Sequence, residues 1–189
     1  NLLKKVIDPA SNDAQVFAYT DNGLKASVVD AKGNVTSYLY DGFDRLDKTV
    51  YPDGTFEQNA SFDGNSNVTS MLTRAGDTIG FQFDVLNRMT QKSPDGMAVV
   101  TFVYDLAGRL TSVSTPVVAG NPASGEWEYG YDTAGRLTSE EAPDGKTISY
   151  QLDENGNVER IDYADGYYVV REYDEINRLT AIKLNGSST

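Results

Sequence analysis

One phrase recurs along the 189-residue chain: residues 104–112 read YDLAGRLTS, 131–139 read YDTAGRLTS and 173–181 read YDEINRLTA. Marking each copy by the residue before the Asp gives Tyr19, Tyr40, Phe62, Phe83, Tyr104, Tyr131, Leu152 and Tyr173. The intervals are 21, 22, 21, 21, 27, 21 and 21 residues. The long interval holds PVVAGNPASGEW, rich in Pro, Gly and Ala, and reads as an enlarged loop at 116–126. A unit this short cannot bury an apolar face alone, so its copies must lean on one another. The chain is therefore expected to be one repeat domain over 1–189, with about eight copies of roughly 21 residues.

The spacing within a copy is turn chemistry. Asp follows the marker at Asp41, Asp63, Asp84, Asp105, Asp132, Asp153 and Asp174. Three positions on stand Asp44, Ser66, Asn87, Gly108, Gly135, Gly156 and Asn177, mostly residues that tolerate a left-handed backbone. An Asp opening a type I turn accepts backbone N–H bonds, and a left-handed residue then closes the hairpin. A second turn lies half a copy away, as PDG at Pro52–Gly54, Pro94–Gly96 and Pro143–Gly145, or as related forms ending in Gly33, Gly76 and Gly166. Two turns per copy leave two strands of roughly six residues. The fold expected is all-β, a long antiparallel ribbon of about sixteen strands.

Strands entering the Asp turn alternate. Ile79/Phe81/Phe83, Val100/Phe102/Tyr104, Trp127/Tyr129/Tyr131 and Ile148/Tyr150/Leu152 fall on one face, with Gln82, Val103, Gly130 and Gln151 between them. One face is thus aromatic and the other polar, and each large buried side chain should contribute about 1.5–3 kcal/mol. Outgoing strands repeat apolar residues at three steps, as in Leu110/Val113 and Val158/Ile161. A bulge after the turn, or partial burial on both faces, would account for that interval. The arginines Arg45, Arg88, Arg109, Arg136 and Arg178 are placed to pair with Asp41, Asp84, Asp105, Asp132 and Asp174, in their own copy or a neighbouring one.

Composition narrows the function. The chain has no His and no Cys, which excludes thiolate or imidazole metal sites and nucleophilic triads. A net charge of −12 repels phosphate backbones, so no nucleic acid is expected as a partner. No apolar run of about 18 residues is present to span a membrane as a helix. Asp153/Asn155/Asn157 and Asp63/Asn65/Asn67 alternate like calcium ligands, but Val158 and Val68 stand where the loop glycine belongs, so they read as turns. Glu126, Glu128, Glu140 and Glu141 are available carboxylates, yet they read as solvated edge rather than a dry acid–base pair. No catalytic, cofactor or metal site is expected. Trp127, Tyr129 and Tyr131 sit beside the enlarged loop and are candidate sugar contacts, although their spacing also fits the ring-bearing face.

The unit YDxxGRLT, with its distant PDG, resembles the YD repeat of the Rhs family. Departures are Thr20 and Leu24 in the first copy, Asn67 and Asn157 for Arg, and Leu152 for the aromatic. The self-cleaving DPxG-type segment that often follows an Rhs core is not matched by Asp8-Pro9-Ala10-Ser11. Similar repeats in bacterial Rhs toxins, insecticidal toxin complexes and teneurins wind into a hollow shell. The resemblance implies a section of a curled β-shell from a larger secreted or surface-displayed bacterial protein. Its partners would be further shell repeats and a C-terminal effector. The alternative it leaves is a surface adhesion module that binds carbohydrate. Either way, open sheet edges are expected to drive self-association.

Overall fold

The computed structural model describes residues 2–9, 13–121 and 124–185. Among these there is no helix, and seventeen strands account for the regular structure. They fall into two compact units, Asn1–Met97 and Ala98–Thr189. In the first unit the strands are β1 (Lys5–Ile7), β2 (Asp13–Tyr19), β3 (Lys25–Asp30), β4 (Val35–Tyr40), β5 (Leu46–Val50), β6 (Phe56–Phe62), β7 (Val68–Leu72), β8 (Thr78–Phe83) and β9 (Met89–Pro94). In the second they are β10 (Val100–Tyr104), β11 (Leu110–Thr115), β12 (Gly125–Tyr131), β13 (Leu137–Glu141), β14 (Thr147–Leu152), β15 (Val158–Asp162), β16 (Tyr168–Tyr173) and β17 (Leu179–Leu184). Within each unit every strand pairs antiparallel with the next, as β2 with β3 and β14 with β15.

The turns follow from the backbone conformations their residues permit. Asp44, Ser66, Asn87 and Asn177 have φ of 60°, 69°, 61° and 62°, and Gly108, Gly135 and Gly156 have φ of 87°, 85° and 89°. All seven close an Asp turn in the left-handed region, where Gly is unstrained and Asn or Asp costs least. The second turns use Gly33, Gly54, Gly76, Gly96, Gly145 and Gly166, also at positive φ. In the enlarged loop, the buried Ser124 accepts the Val118 N–H at 2.7 Å and donates to Asn121 O at 2.8 Å. Residues 122–123 of that loop lie outside the described ones.

The three-step interval on the outgoing strands is a bulge. Tyr104 pairs with Leu110, but Val103 pairs with Ser112, so Thr111 is the extra residue. The same skip occurs at Thr138, Glu159 and Thr180. A bulge adds one residue to one strand, which returns Val113 to the face of Leu110. The skipped threonines hold the kink: the Thr111 hydroxyl donates to Val103 O at 3.2 Å and Thr180 to Glu172 O at 3.0 Å.

Register gathers most rings on one face. Phe102, Val113 and Trp127 form one cross-strand row; Tyr129, Glu140 and Ile148 form another; Tyr150, Ile161 and Val169 a third. Two rings depart from this. Phe56 and Tyr168, at the starts of their strands, stand on the polar face, and cations cover them: Lys48 lies 4.3 Å from the Phe56 ring and Arg160 3.9 Å from the Tyr168 ring. A Cβ at Gly130 would come within 2.3 Å of Ser139 Oγ, so a larger residue there requires that hydroxyl to turn away.

Burial is where the expectation must be revised. Among the described residues Ile161, at 8% exposed, is the one buried apolar side chain, and the ladder rings are half-buried. A sheet one layer thick covers its residues only from the sides, so each ring gains a fraction of the full burial term. Hydroxyls take up part of the difference. The Tyr40, Tyr131 and Tyr173 hydroxyls donate to Lys25 O, Leu110 O and Val158 O at 2.9, 2.8 and 3.1 Å, each carbonyl belonging to the preceding copy. Tyr131→Phe should therefore lower stability by about 1 kcal/mol in urea denaturation. Tyr163→Phe, at a ring exposed at 37%, should stay within about 0.5 kcal/mol of the parent.

Candidate functional site

The recurring constellation is the Asp turn. The Asp41 Oδ1 accepts the N–H groups of Phe43 and Arg45 at 2.9 and 3.0 Å, while Oδ2 accepts Arg45 Nε at 2.7 Å. The same fork joins Asp84 to Arg88, Asp105 to Arg109, Asp132 to Arg136 and Asp174 to Arg178. Each arginine thus pairs with the aspartate of its own copy. Asn67 and Asn157 replace the arginine, and their Nδ2 reaches Asp63 Oδ2 and Asp153 Oδ2 at 2.8 Å. The stretches spaced like calcium ligands are these turns: Asp63 and Asp153 already hold N–H donors.

The same side chains also reach forward. Arg109 Nη1 donates to Asp132 O at 3.3 Å and Arg136 Nη1 to Asp153 O at 3.1 Å, in the following turn. Arg45 stacks on the Phe62 ring at 4.0 Å and Arg109 on the Tyr131 ring at 4.8 Å. Asn67 and Asn157 donate instead to Asn87 Oδ1 and Asn177 Oδ1, both at 2.8 Å. One residue therefore closes its own hairpin and ties it to the next. The following turn also shields it: the Arg45, Arg109 and Arg136 side chains are 25%, 33% and 38% exposed, whereas Arg178, which no later copy follows among the described residues, is 74% exposed.

What the tie meets decides which residue makes it. Arg109 and Arg136 lie against Gly135 and Gly156, with Nη1 3.5 and 3.6 Å from where a Cβ would be. That leaves room for a small side chain, and Arg45 is followed by Ser66 at the equivalent place. Where the next turn carries Asn87 or Asn177, a shorter Asn replaces the arginine and bonds to it. Asn157→Arg alone should lower the urea midpoint, and adding Asn177→Gly should recover it, with a coupling of about 1 kcal/mol in the double-mutant cycle.

These bonds hold the carboxyls below their ordinary range. For Asp41 and Asp84 the arginine side-chain hydrogen bond is the main cause; for Asp105, Asp132 and Asp174 it is the arginine backbone N–H; for Asp63 and Asp153 it is the Asn side chain. A lowered folded pKa means the ionised form stabilises the fold. The contribution is complete above the unfolded carboxyl range near pH ~4 and is lost as pH falls through the lower folded values. The urea midpoint should stay level from pH 7 to about 5 and drop below about 4, and Asp132→Asn should make the acid limb shallower.

The remaining candidates separate by face. Glu128 stands opposite Glu141, both exposed on the polar face, and Glu126 shares that face. Glu140 is on the ring-bearing face, where its Oε1 accepts the Tyr150 O–H at 2.6 Å. Burial, then this bond and the carboxylate charge, push the Tyr150 phenol up to about 12. Among Trp127, Tyr129 and Tyr131, the Tyr131 ring lies under Arg109 and its hydroxyl is engaged by Leu110 O. Tyr129 is half-buried beside Glu140. Trp127 borders a hollow of about 320 Å³ with Ile148, Tyr163, Glu140 and Asp165. Among the described residues no acidic cluster is arranged to hold a metal ion. The bulge threonines and the Tyr150–Glu140 bond were not anticipated; the recurrence of Thr111, Thr138 and Thr180 in RLT was the available signal.

The class the observations define is an all-β repeat fold, an antiparallel meander whose corners are fixed by recurring Asp turns. The RHS repeat model matches residues 19–55 and 131–168, beginning at the markers Tyr19 and Tyr131. No curated protein matches the sequence significantly. Solved structures share the fold. The Photorhabdus luminescens Tc holotoxin pore superposes with a TM-score of 0.72 at 16% identity, covering 90% of this chain and 10% of that one. TcdB2-TccC3 gives a TM-score of 0.62 at 16% identity, over 95% and 12%. TcdB2-TccC3 without its hypervariable C-terminal region gives 0.61 at 15%, over 93% and 12%. The chain thus spans about a tenth of the length of the structures it matches.

Proposed function

We propose that the chain is a length of wall in a larger YD-repeat shell, with the mechanical task of enclosing and carrying a C-terminal toxin or effector of its parent protein. The observation that carries this is the forward tie: Arg109 to Asp132 O, Arg136 to Asp153 O, Asn67 to Asn87 and Asn157 to Asn177. Each copy offers the next copy the same groups, so the pattern extends by addition and builds area rather than a pocket. The exposed guanidinium of Arg178 is where a further copy would dock. The likeness in fold to the Tc structures supports the same reading, and a secreted or surface location in bacteria follows from the family resemblance. No covalent chemistry is assigned to the wall.

As a wall segment, the chain would meet other repeats at its ends. Strand β1 is exposed throughout, and Leu179, Ile182 and Leu184 on β17 are 50%, 48% and 45% exposed. Edge strands, paired on one side, recruit further strands. The 189-residue chain should show a mass that rises with concentration in light scattering. The enclosing role is tested in the parent protein. Effector sequence following the repeats should resist protease in the intact protein and become cleavable when Asp→Ala changes at Asp105, Asp132 and Asp153 open the turns. Equal cleavage in both would remove the enclosing role. The carbohydrate alternative rests on the position of Trp127 beside an open hollow, and its outcome is read in the experiment below.

A further inference from the structure

The hollow beside Trp127 leaves two rings open to an outside group. On several other half-buried rings a cation stacks: Arg45 over Phe62, Arg74 over Tyr51, Lys48 over Phe56 and Arg160 over Tyr168, at 4.0, 4.0, 4.3 and 3.9 Å. Among the described residues no cation stacks on Trp127 or Tyr163, and both rings border the same open space of about 320 Å³. Ile148 adds an aliphatic wall to a mostly apolar floor, and the acidic residues Glu140 and Asp165 stand at its border. Glu140 is held in place by the Tyr150 O–H at 2.6 Å. Lys146, also at the rim, turns its ammonium to Asp144 at 2.5 Å, so it leaves the two carboxylates unneutralised.

Rings, an aliphatic wall and carboxylates together suit one kind of occupant. A phosphate or an acidic peptide is repelled by Glu140, Asp165 and a chain carrying −12 overall. A neutral apolar group would cover the carboxylates without pairing them. A long cationic side chain satisfies both parts, with its methylenes on the rings and its head at the acids. We propose that this hollow seats the arginine or lysine side chain of a protein partner, its stem against Trp127 and Ile148 and its charged head toward Glu140 and Asp165. The assignment holds whether or not the chain belongs to a shell.

Trp127 is the only tryptophan, so its indole N–H gives a single, self-assigned signal in a ¹H–¹⁵N spectrum of the 189-residue chain. N-butylguanidinium is the probe, N-butylurea its neutral isostere, and methyl β-galactoside the sugar arm. The expected result is a saturable shift with butylguanidinium that butylurea does not reproduce. Glu140→Gln and Asp165→Asn should each weaken it about fivefold. Both variants keep an acceptor oxygen, for Tyr150 in one case and the Tyr167 N–H in the other, so the fold signals should be retained. An unmoved indole signal with butylguanidinium, equal affinity for butylurea, indifference to both substitutions, or tighter saturation by the galactoside would each overturn the proposal. The last would favour carbohydrate.

Discussion

A β-sheet with little buried on either face must take its register from its corners. Sheets are usually pinned by the hydrophobic pattern, because a one-residue slip would move every apolar side chain to the wrong side. Here that penalty is weak: Ile161 is the one buried apolar residue among those described, and the rings stay half-covered. The Asp turn supplies what the core does not. Its carboxylate fixes two backbone N–H groups and a side chain in one step, as Asp132 does for Ala134, Arg136 and the Arg136 guanidinium. A slip of one residue would break all three together. The bulge adds a second lock, because the extra residue always follows the turn by the same count, whether it is Thr111, Glu159 or Ala26.

This division of labour explains which features were legible beforehand. The turns, the period and the ring-bearing face are local properties: positive φ at Gly135 or Asn177, and alternation through Trp127, Tyr129 and Tyr131, follow from residue type and spacing alone. The three-step interval of Leu110 and Val113 announced a departure from period two, but bulge and two-sided burial predict the same string of letters. Choosing between them needs the partner strand, where Val103 faces Ser112. Partial burial was hidden for a similar reason. Sequence shows which side chains share a face and says nothing of what lies over that face. Glu140 illustrates the limit: in the string it looks like its neighbour Glu141, and one step of pleat puts it among rings with Tyr150 while Glu141 faces solvent.

The rings serve two purposes under these conditions. Stacked along a face they provide what burial a single layer allows, and their flat sides accept the cations that keep the remaining surface wet. Arg45 and Arg109 show the economy of this, each joining its own aspartate and the next marker ring. A chain with 16 basic and 28 acidic side chains cannot give every acid and every ring a cation of its own. The rings left uncovered are then places where an outside group can do what an internal arginine does elsewhere, and Trp127 is one of them.

The exchange of Arg for Asn, which looks like drift in a single copy, becomes orderly across two. Asn67 and Asn157 occur where the following turn is closed by Asn87 and Asn177; Arg109 and Arg136 occur where it is closed by Gly135 and Gly156. Arg needs a small residue there, a glycine or the Ser66 that follows Arg45, while Asn needs an amide to bond. Each turn therefore specifies its successor by shape and by hydrogen bonding, and a mismatched neighbour would leave either a clash or an unpaired amide. Repeats built on one scaffold risk pairing out of order, since their strands are interchangeable. Two incompatible kinds of tie reduce the number of wrong neighbours each copy can accept, at a cost of one side chain per copy. The variation at this position thus carries order along the ribbon, where uniform repetition would carry none.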